Sequence, residues 1–117
     1  MKLTFIQTAF FVAKWRRLGL TDEDLQALEA EIMERPNAGV VMRGGGGVRK
    51  MRFAPPSWNT GKSGATRVCY IVFAEAAHCY LFSLFPKNEQ PNLSAAELVE
   101  LRGLVTSIRR RLERTGQ

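Results

Sequence analysis

Seven cations and no acid stand between Arg35 and Ala74: Arg35, Arg43, Arg49, Lys50, Arg52, Lys62 and Arg67. The remaining ten cations face all eleven acids, a balance of −1, so this one segment accounts for the whole +6 net charge. A surface that serves only solubility mixes its signs, because a large single-sign field adds self-repulsion without helping the fold. The chemistry open to such a segment is the gripping of a polyanion. Arginine forks and lysine ammonium groups neutralise phosphates, and the pattern favours nucleic acid over a merely solvated basic face. An acidic protein is compatible with the same surface, since a peptide can occupy it and block it.

The charge is densest in "GGGGVRKMRF", residues 44 to 53. Strand alternation puts Lys50 and Arg52 on one face and Arg49, Met51 and Phe53 on the other, with Met51 and Phe53 marking the core side. Lys50 and Arg52 then point together toward the open side. The four preceding glycines have two readings: backbone amides that approach a ligand unobstructed, or a flexible hinge. Trp58, in "PPSWNTGK", sits where no helix or strand pattern buries it; it is a candidate for stacking on a base or for anchoring a loop.

The elements that must position these residues are legible in outline. Lys2 to Gln7 reads as a strand, and Ala9 to Leu18 as a short helix with Phe11, Trp15 and Leu18 on one face. Thr21 caps a second helix whose first turn carries Asp22, Glu23 and Asp24; Leu25, Leu28 and Ile32 form its buried stripe, and "RPNAG" stops it. Val48 to Phe53, Thr66 to Ala74 and His78 to Phe85 read as three consecutive antiparallel strands, the last two apolar on both faces and therefore central. Ser94 and Glu97 form a capping box at the start of a last helix, whose core stripe is Leu98, Leu101, Val105, Ile108 and Leu112. Arg109, Arg110 and Arg111 near its carboxyl end suit the helix dipole. The predicted class is α+β with one small antiparallel sheet, order β-α-α-β-β-β-α, in a single domain over residues 1–117.

Composition narrows the function further. A chain of 117 residues, 45% hydrophobic and 24% charged, has the balance of a soluble globular domain. No apolar run approaches the ~20 residues that span a bilayer, and the start lacks a signal-peptide pattern, so no membrane role and a cytoplasmic location are expected. With a hairpin turning near Ala76, Cys69 faces Phe82 or Ser83 and Cys79 faces Val72 or Phe73, so the two thiols are out of register for a bridge. One histidine, His78, is too few for a zinc site, and it reads as structural at a hairpin end. No metal and no cofactor are expected.

Three blocks, "GGGGVRKMRF" (44–53), "GKSGATRVCY" (61–70) and "LFPKNEQPNLS" (84–94), resemble in order and spacing the HigB-like branch of the RelE/ParE superfamily of toxin-antitoxin toxins. In that pattern a Gly-Gly-Leu-Arg-Lys-like entry opens one strand, a glycine- and lysine-rich loop leads into an Arg-Val-Ile-Tyr-Tyr-like strand, and a Lys-Asn-Glu motif follows the last strand. Val48 replaces the Leu, while Arg49, Lys50, Arg52, Gly61, Lys62, Gly64, Arg67, Tyr70, Lys87, Asn88 and Glu89 fall where the pattern wants them. The resemblance covers nearly the whole chain. It implies a toxin that enters the ribosomal decoding site and cuts messenger RNA, held inactive by an antitoxin encoded beside it. Operator DNA, reached through the antitoxin complex, is a further partner it leaves open. Relatives of similar fold poison DNA gyrase, and a decayed toxin can persist as a co-repressor, so the site must decide.

RNA self-cleavage drives a 2′-hydroxyl in line onto the neighbouring phosphate. An enzyme orients the strand, neutralises the pentacoordinate phosphate and moves protons, and neither a metal nor a covalent nucleophile is required. Arg67 is the leading candidate for stabilising that phosphate, a structural ion pair being its other reading. Lys50 joins it; Lys87 is a candidate proton shuttle, and Glu89 orients that amine or accepts a proton. Arg49, Arg52, Lys62, Trp58, Phe85 and Asn88 are candidate RNA contacts. Phe85 stands where many relatives have Tyr, and Pro86 replaces a small residue. Phe85 can stack but cannot shuttle a proton.

Overall fold

The computed structural model describes residues 1–58, 65–89 and 92–115. The elements are β1 (Thr4–Gln7), α1 (Ala9–Arg17), α2 (Asp22–Glu34), β2 (Val40–Val41), β3 (Arg49–Phe53), β4 (Thr66–Phe73), β5 (His78–Pro86) and α3 (Ala95–Thr115). The capping residues fix the helix starts. Thr8 Oγ1 accepts from Phe11 N, Thr21 and Asp24 close a reciprocal box, and Ser94 and Glu97 close another.

The sheet order is β1-β5-β4-β3-β2. Two features depart from the sequence expectation. Val40 and Val41 form an additional two-residue strand opposite Lys50 and Arg49, too short to show a period. The sheet is mixed rather than antiparallel, because β5 returns between β1 and β4 and runs parallel to β1. Parallel neighbours need a long crossover, and here every other sheet strand and both early helices lie between the pair.

One face of the sheet packs against α1 and α2, burying Phe11, Trp15, Leu28 and Ile32 with Met51, Phe53, Val68, Tyr70 and Leu81. The other packs against α3 through Leu101, Val105 and Ile108, with Val48, Cys69, Ile71, Phe82 and Phe85. Both central strands are thus covered on two sides, as their unbroken apolar runs require. Cys69 lies opposite Ser83 and Cys79 opposite Val72; both cysteines are free and buried, and burial pushes each thiol up to about 12.

Two buried polar anchors shape what surrounds the basic strand. The Tyr70 hydroxyl donates to Pro36 O at 2.8 Å and accepts from Gly39 N at 3.0 Å, fixing the turn that delivers β2. Asp24, with no exposed surface, accepts from Thr21 N (2.9 Å), Ser57 N (3.0 Å) and Ser57 Oγ (2.6 Å). It joins the amino end of α2 to the Pro56–Trp58 turn.

The glycines of residues 44–47 lie in the β2–β3 connection, where Gly46 sits beside Val105 and Gly47 beside Arg109 of α3. Arg109 Nη2 donates to Gly46 O at 3.1 Å, and its guanidinium lies 5.2 Å from the Phe73 ring centroid. They therefore sit at the opposite end of β3 from Arg52. Gly47, at φ +103°, holds a backbone conformation that L side chains rarely adopt, and a Cβ there would meet Arg109 Nη2 at 3.0 Å and Ile71 Cδ1 at 3.3 Å, so both side chains would have to shift. Gly47→Val is expected to destabilise the fold by about 2 to 4 kcal/mol through backbone strain and overpacking. Urea unfolding measures it, and an unchanged midpoint would contradict this packing.

Candidate functional site

Register places the basic residues in two rows across one sheet face. Arg52 of β3 lies opposite Arg67 of β4, which lies opposite Phe85 of β5; one step along, Lys50 lies opposite Cys69, which lies opposite Ser83. Residues two apart share a face, so Lys50, Arg52 and Arg67 converge, neighbouring strands being ~4.8 Å apart. The alternation read from the sequence thus puts Lys50 and Arg52 together as expected, and strand pairing adds Arg67.

Arg67 is 7% exposed, and its Nη1 donates to Thr66 O at 3.3 Å. Among the described residues no ion pair involves Arg52 or Arg67; the ion pairs Lys14–Glu97 and Arg17–Glu89 lie elsewhere. Two arginines directly opposite each other repel, so the pairing costs stability unless an anion joins it. A cavity of about 480 Å³ opens beside them, where β2 stops opposite Lys50. Its walls include Glu31 and Arg35 from the end of α2, Val40, and Lys50, Arg52 and Arg67. The Lys50 ammonium also donates to Asn92 Oδ1, in the segment leading to α3.

Not every expected residue joins this group. Arg49 points to the other face, where its Nη1 donates to Gly39 O at 2.7 Å and Asn37 O at 3.3 Å; it braces the turn into β2 rather than sharing the surface of Lys50 and Arg52. Phe85 shares the face but is 1% exposed and packed in the core under α3, so it is a floor and not an open stacking platform. Lys87, Asn88 and Glu89 occupy the exposed turn after β5. Glu89 is held by Arg17, with Nη2 at 3.0 Å and Nη1 at 3.5 Å, which ties the turn to α1. Trp58 is half-buried in a short 3-10 turn, its amide bonded to Pro55 O at 3.0 Å. Lys62 lies outside the described residues. His78 is half-buried, edge-on to Tyr80.

Sequence reasoning missed Lys14 and Arg17. They lie three apart near the carboxyl end of α1, hence on one helix face, and both reach residues of β5 or the turn after it. The three-residue spacing was the available signal; nothing local said that α1 packs beside β5.

The description "RelE toxin of RelE / RelB toxin-antitoxin system" belongs to a family model that matches residues 4–115. The chain belongs to the RelE toxin family. The structure of the Escherichia coli toxin RelE, an arginine-to-alanine mutant in the free state, superposes with a TM-score of 0.54 at 20% identity, covering 78% of this chain and 90% of that one. At that identity the likeness speaks for the fold. This RelE-family chain is thus an α+β toxin of the toxin-antitoxin type, and none of its described helices is long and apolar enough to cross a membrane.

Proposed function

We propose that this RelE-family toxin is a ribosome-dependent messenger RNA endonuclease, HigB-like in its motif blocks, working by electrostatic and acid-base catalysis. The observation that carries the reading is the opposed pair Arg52 and Arg67, side by side with Lys50 and without a carboxylate partner among the described residues. An RNA phosphate seated there relieves the repulsion between the two arginines. Arg67, held by β4, directs its fork at the phosphate that becomes pentacoordinate, and Lys50 and Arg52 neutralise that phosphate and the next. Lys87, on the exposed turn, moves a proton to the leaving oxygen or from the attacking 2′-hydroxyl. Glu89, engaged by Arg17, keeps that turn in place rather than handling the proton itself. Asn88, Trp58 and Lys62 extend the strand contact. An antitoxin that covers this basic face silences the toxin, and the ribosome supplies the ordered transcript in the cytoplasm.

Expression of the toxin followed by mapping of transcript ends tests the reading. Cuts in phase with codons, on translated messages only, are expected. Intact transcripts with induction of the DNA-damage response would replace the nuclease by a gyrase poison of the same fold.

A second test isolates the strand contacts. Arg52→Ala is expected to weaken association with messenger-programmed ribosomes and to flatten its dependence on log salt by about 0.7, one single-strand phosphate's worth of counterion release. An unchanged slope would remove Arg52 from the RNA path.

A further inference from the structure

We propose that one exposed side of α3 is a self-complementary docking surface, on which a second copy of this chain packs its own α3 antiparallel about a two-fold axis. Glu97, Glu100, Leu104, Ser107, Arg111 and Arg114 recur at alternating intervals of three and four along the helix, so they form one stripe. Read in reverse, the stripe pairs with itself: Glu97 meets Arg114, Glu100 meets Arg111, and Leu104 meets Ser107. A two-fold interface requires this property, because whatever one residue offers its counterpart must be returned by symmetry. Antiparallel packing also sets the two helix dipoles in opposition.

The stripe borders apolar surface that a single chain leaves open. Phe10 of α1 is 58% exposed and Leu104 37%, and both line a cavity of about 510 Å³ between α1 and α3, with buried Phe82 in its wall. At Gly103, which lines the same cavity, an added Cβ would meet nothing within 4 Å. Leu104 of the second copy enters this groove against Phe10 and Phe82. Beyond Ser107 the surface continues into a second depression, lined by Arg110, Arg111 and Arg114. Glu100, Arg111 and Arg114 are exposed, and among the described residues neither Glu100 nor Arg114 has an ion-pair partner. The helix dipole accounts for acids at one end of α3 and cations at the other. It does not account for an exposed phenylalanine across a groove from an exposed leucine, which marks an interaction surface. None of Lys50, Arg52 and Arg67 lines this groove, so the pairing uses a surface separate from the proposed RNA site.

Sedimentation equilibrium of the purified full chain across the micromolar range tests the pairing. A reversible equilibrium is expected between monomer and a dimer of twice the 13.1 kDa of one chain. Leu104→Arg and Glu100→Arg are each expected to raise the dissociation constant about 100-fold, the first through a charge forced into the groove and the second through repulsion from Arg111 of the other copy. Exchanging both charges, Glu100→Arg together with Arg111→Glu, is expected to restore association, since the two-fold axis sets those positions against each other. Within one helix they stand ~16 Å apart, so the rescue cannot arise inside a single chain. Circular dichroism checks that each variant is folded, and should Leu104→Arg fail, the charge exchange decides. A wild-type chain that stays monomeric overturns the inference, as does a dimer that survives both single substitutions or a double exchange that stays dissociated. If the chain is monomeric and Leu104→Arg instead releases a co-expressed antitoxin, the groove is the antitoxin's and the inference falls. Transcript cleavage is read separately, so the proposed function stands or falls on its own test.

Discussion

Arg67→Ala is expected to lower the rate of transcript cleavage on programmed ribosomes about 10²- to 10³-fold, the usual loss when one preorganised donor to a developing oxyanion is removed. The size follows from the geometry. Arg67 is largely buried, so its guanidinium is oriented before substrate arrives, and in a site shielded from water its charge is screened little. The loss should fall on kcat rather than on KM, because Lys50 and Arg52 still hold the strand while the transition state loses its neutralising fork. Arg67→Lys keeps the charge without the fork and is expected to recover only part of the rate. Single-turnover cleavage with each variant provides the measurement. Full activity in Arg67→Ala, with the fold verified by thermal unfolding, would remove Arg67 from the chemistry and leave the opposed arginines without a role.

Asp24→Asn should cost about 2 to 3 kcal/mol of stability at neutral pH, because an amide can accept on one oxygen only and turns a donor toward Ser57 N or Thr21 N, leaving it unsatisfied. For a chain of this length that is a fall in Tm of roughly 10 °C. The effect has a pH signature of definite sign. Burial by itself would raise the Asp24 carboxyl, but hydrogen bonds from Ser57 and Thr21, the Ser57 hydroxyl foremost, outweigh it and hold the group below its ordinary 3.8. A depressed carboxyl contributes stability that is fully present above its unfolded value and is lost as pH falls through the folded value. The gap in Tm between wild type and Asp24→Asn should therefore hold steady down to about pH 3.8 and close below it. A gap that is absent at neutral pH, or that widens on acidification, would show that Asp24 is not an ionised anchor. Because Ser57 leads directly to Trp58, loosening this anchor is also expected to reduce ribosome association, which the same salt titration reads.

Periodicity and capping chemistry are local, and so the first helix from Ala9, the capped starts at Thr21 and Ser94, the buried stripes of α2 and α3, and the inward placement of Met51 and Phe53 were all readable from the amino-acid order. The location of the charge was readable too, since an acid-free run of seven cations is a property of composition. Partnership across the sheet was not. That Arg67 meets Arg52, that Arg49 turns away to brace Gly39, and that Phe85 lies beneath α3 depend on which strands become neighbours and on the direction in which β5 returns. Lys14 shows the same limit from the other side, because a helix read correctly as helix gave no sign that its lysine would reach Ser83, 69 residues away in the chain. Which segments carry cations and which faces seek the core follows from the order of residue types alone. Only tertiary packing decided which cations share a surface, because contacts between distant segments are selected by the burial of the whole apolar face and not by any residue's neighbours in the chain.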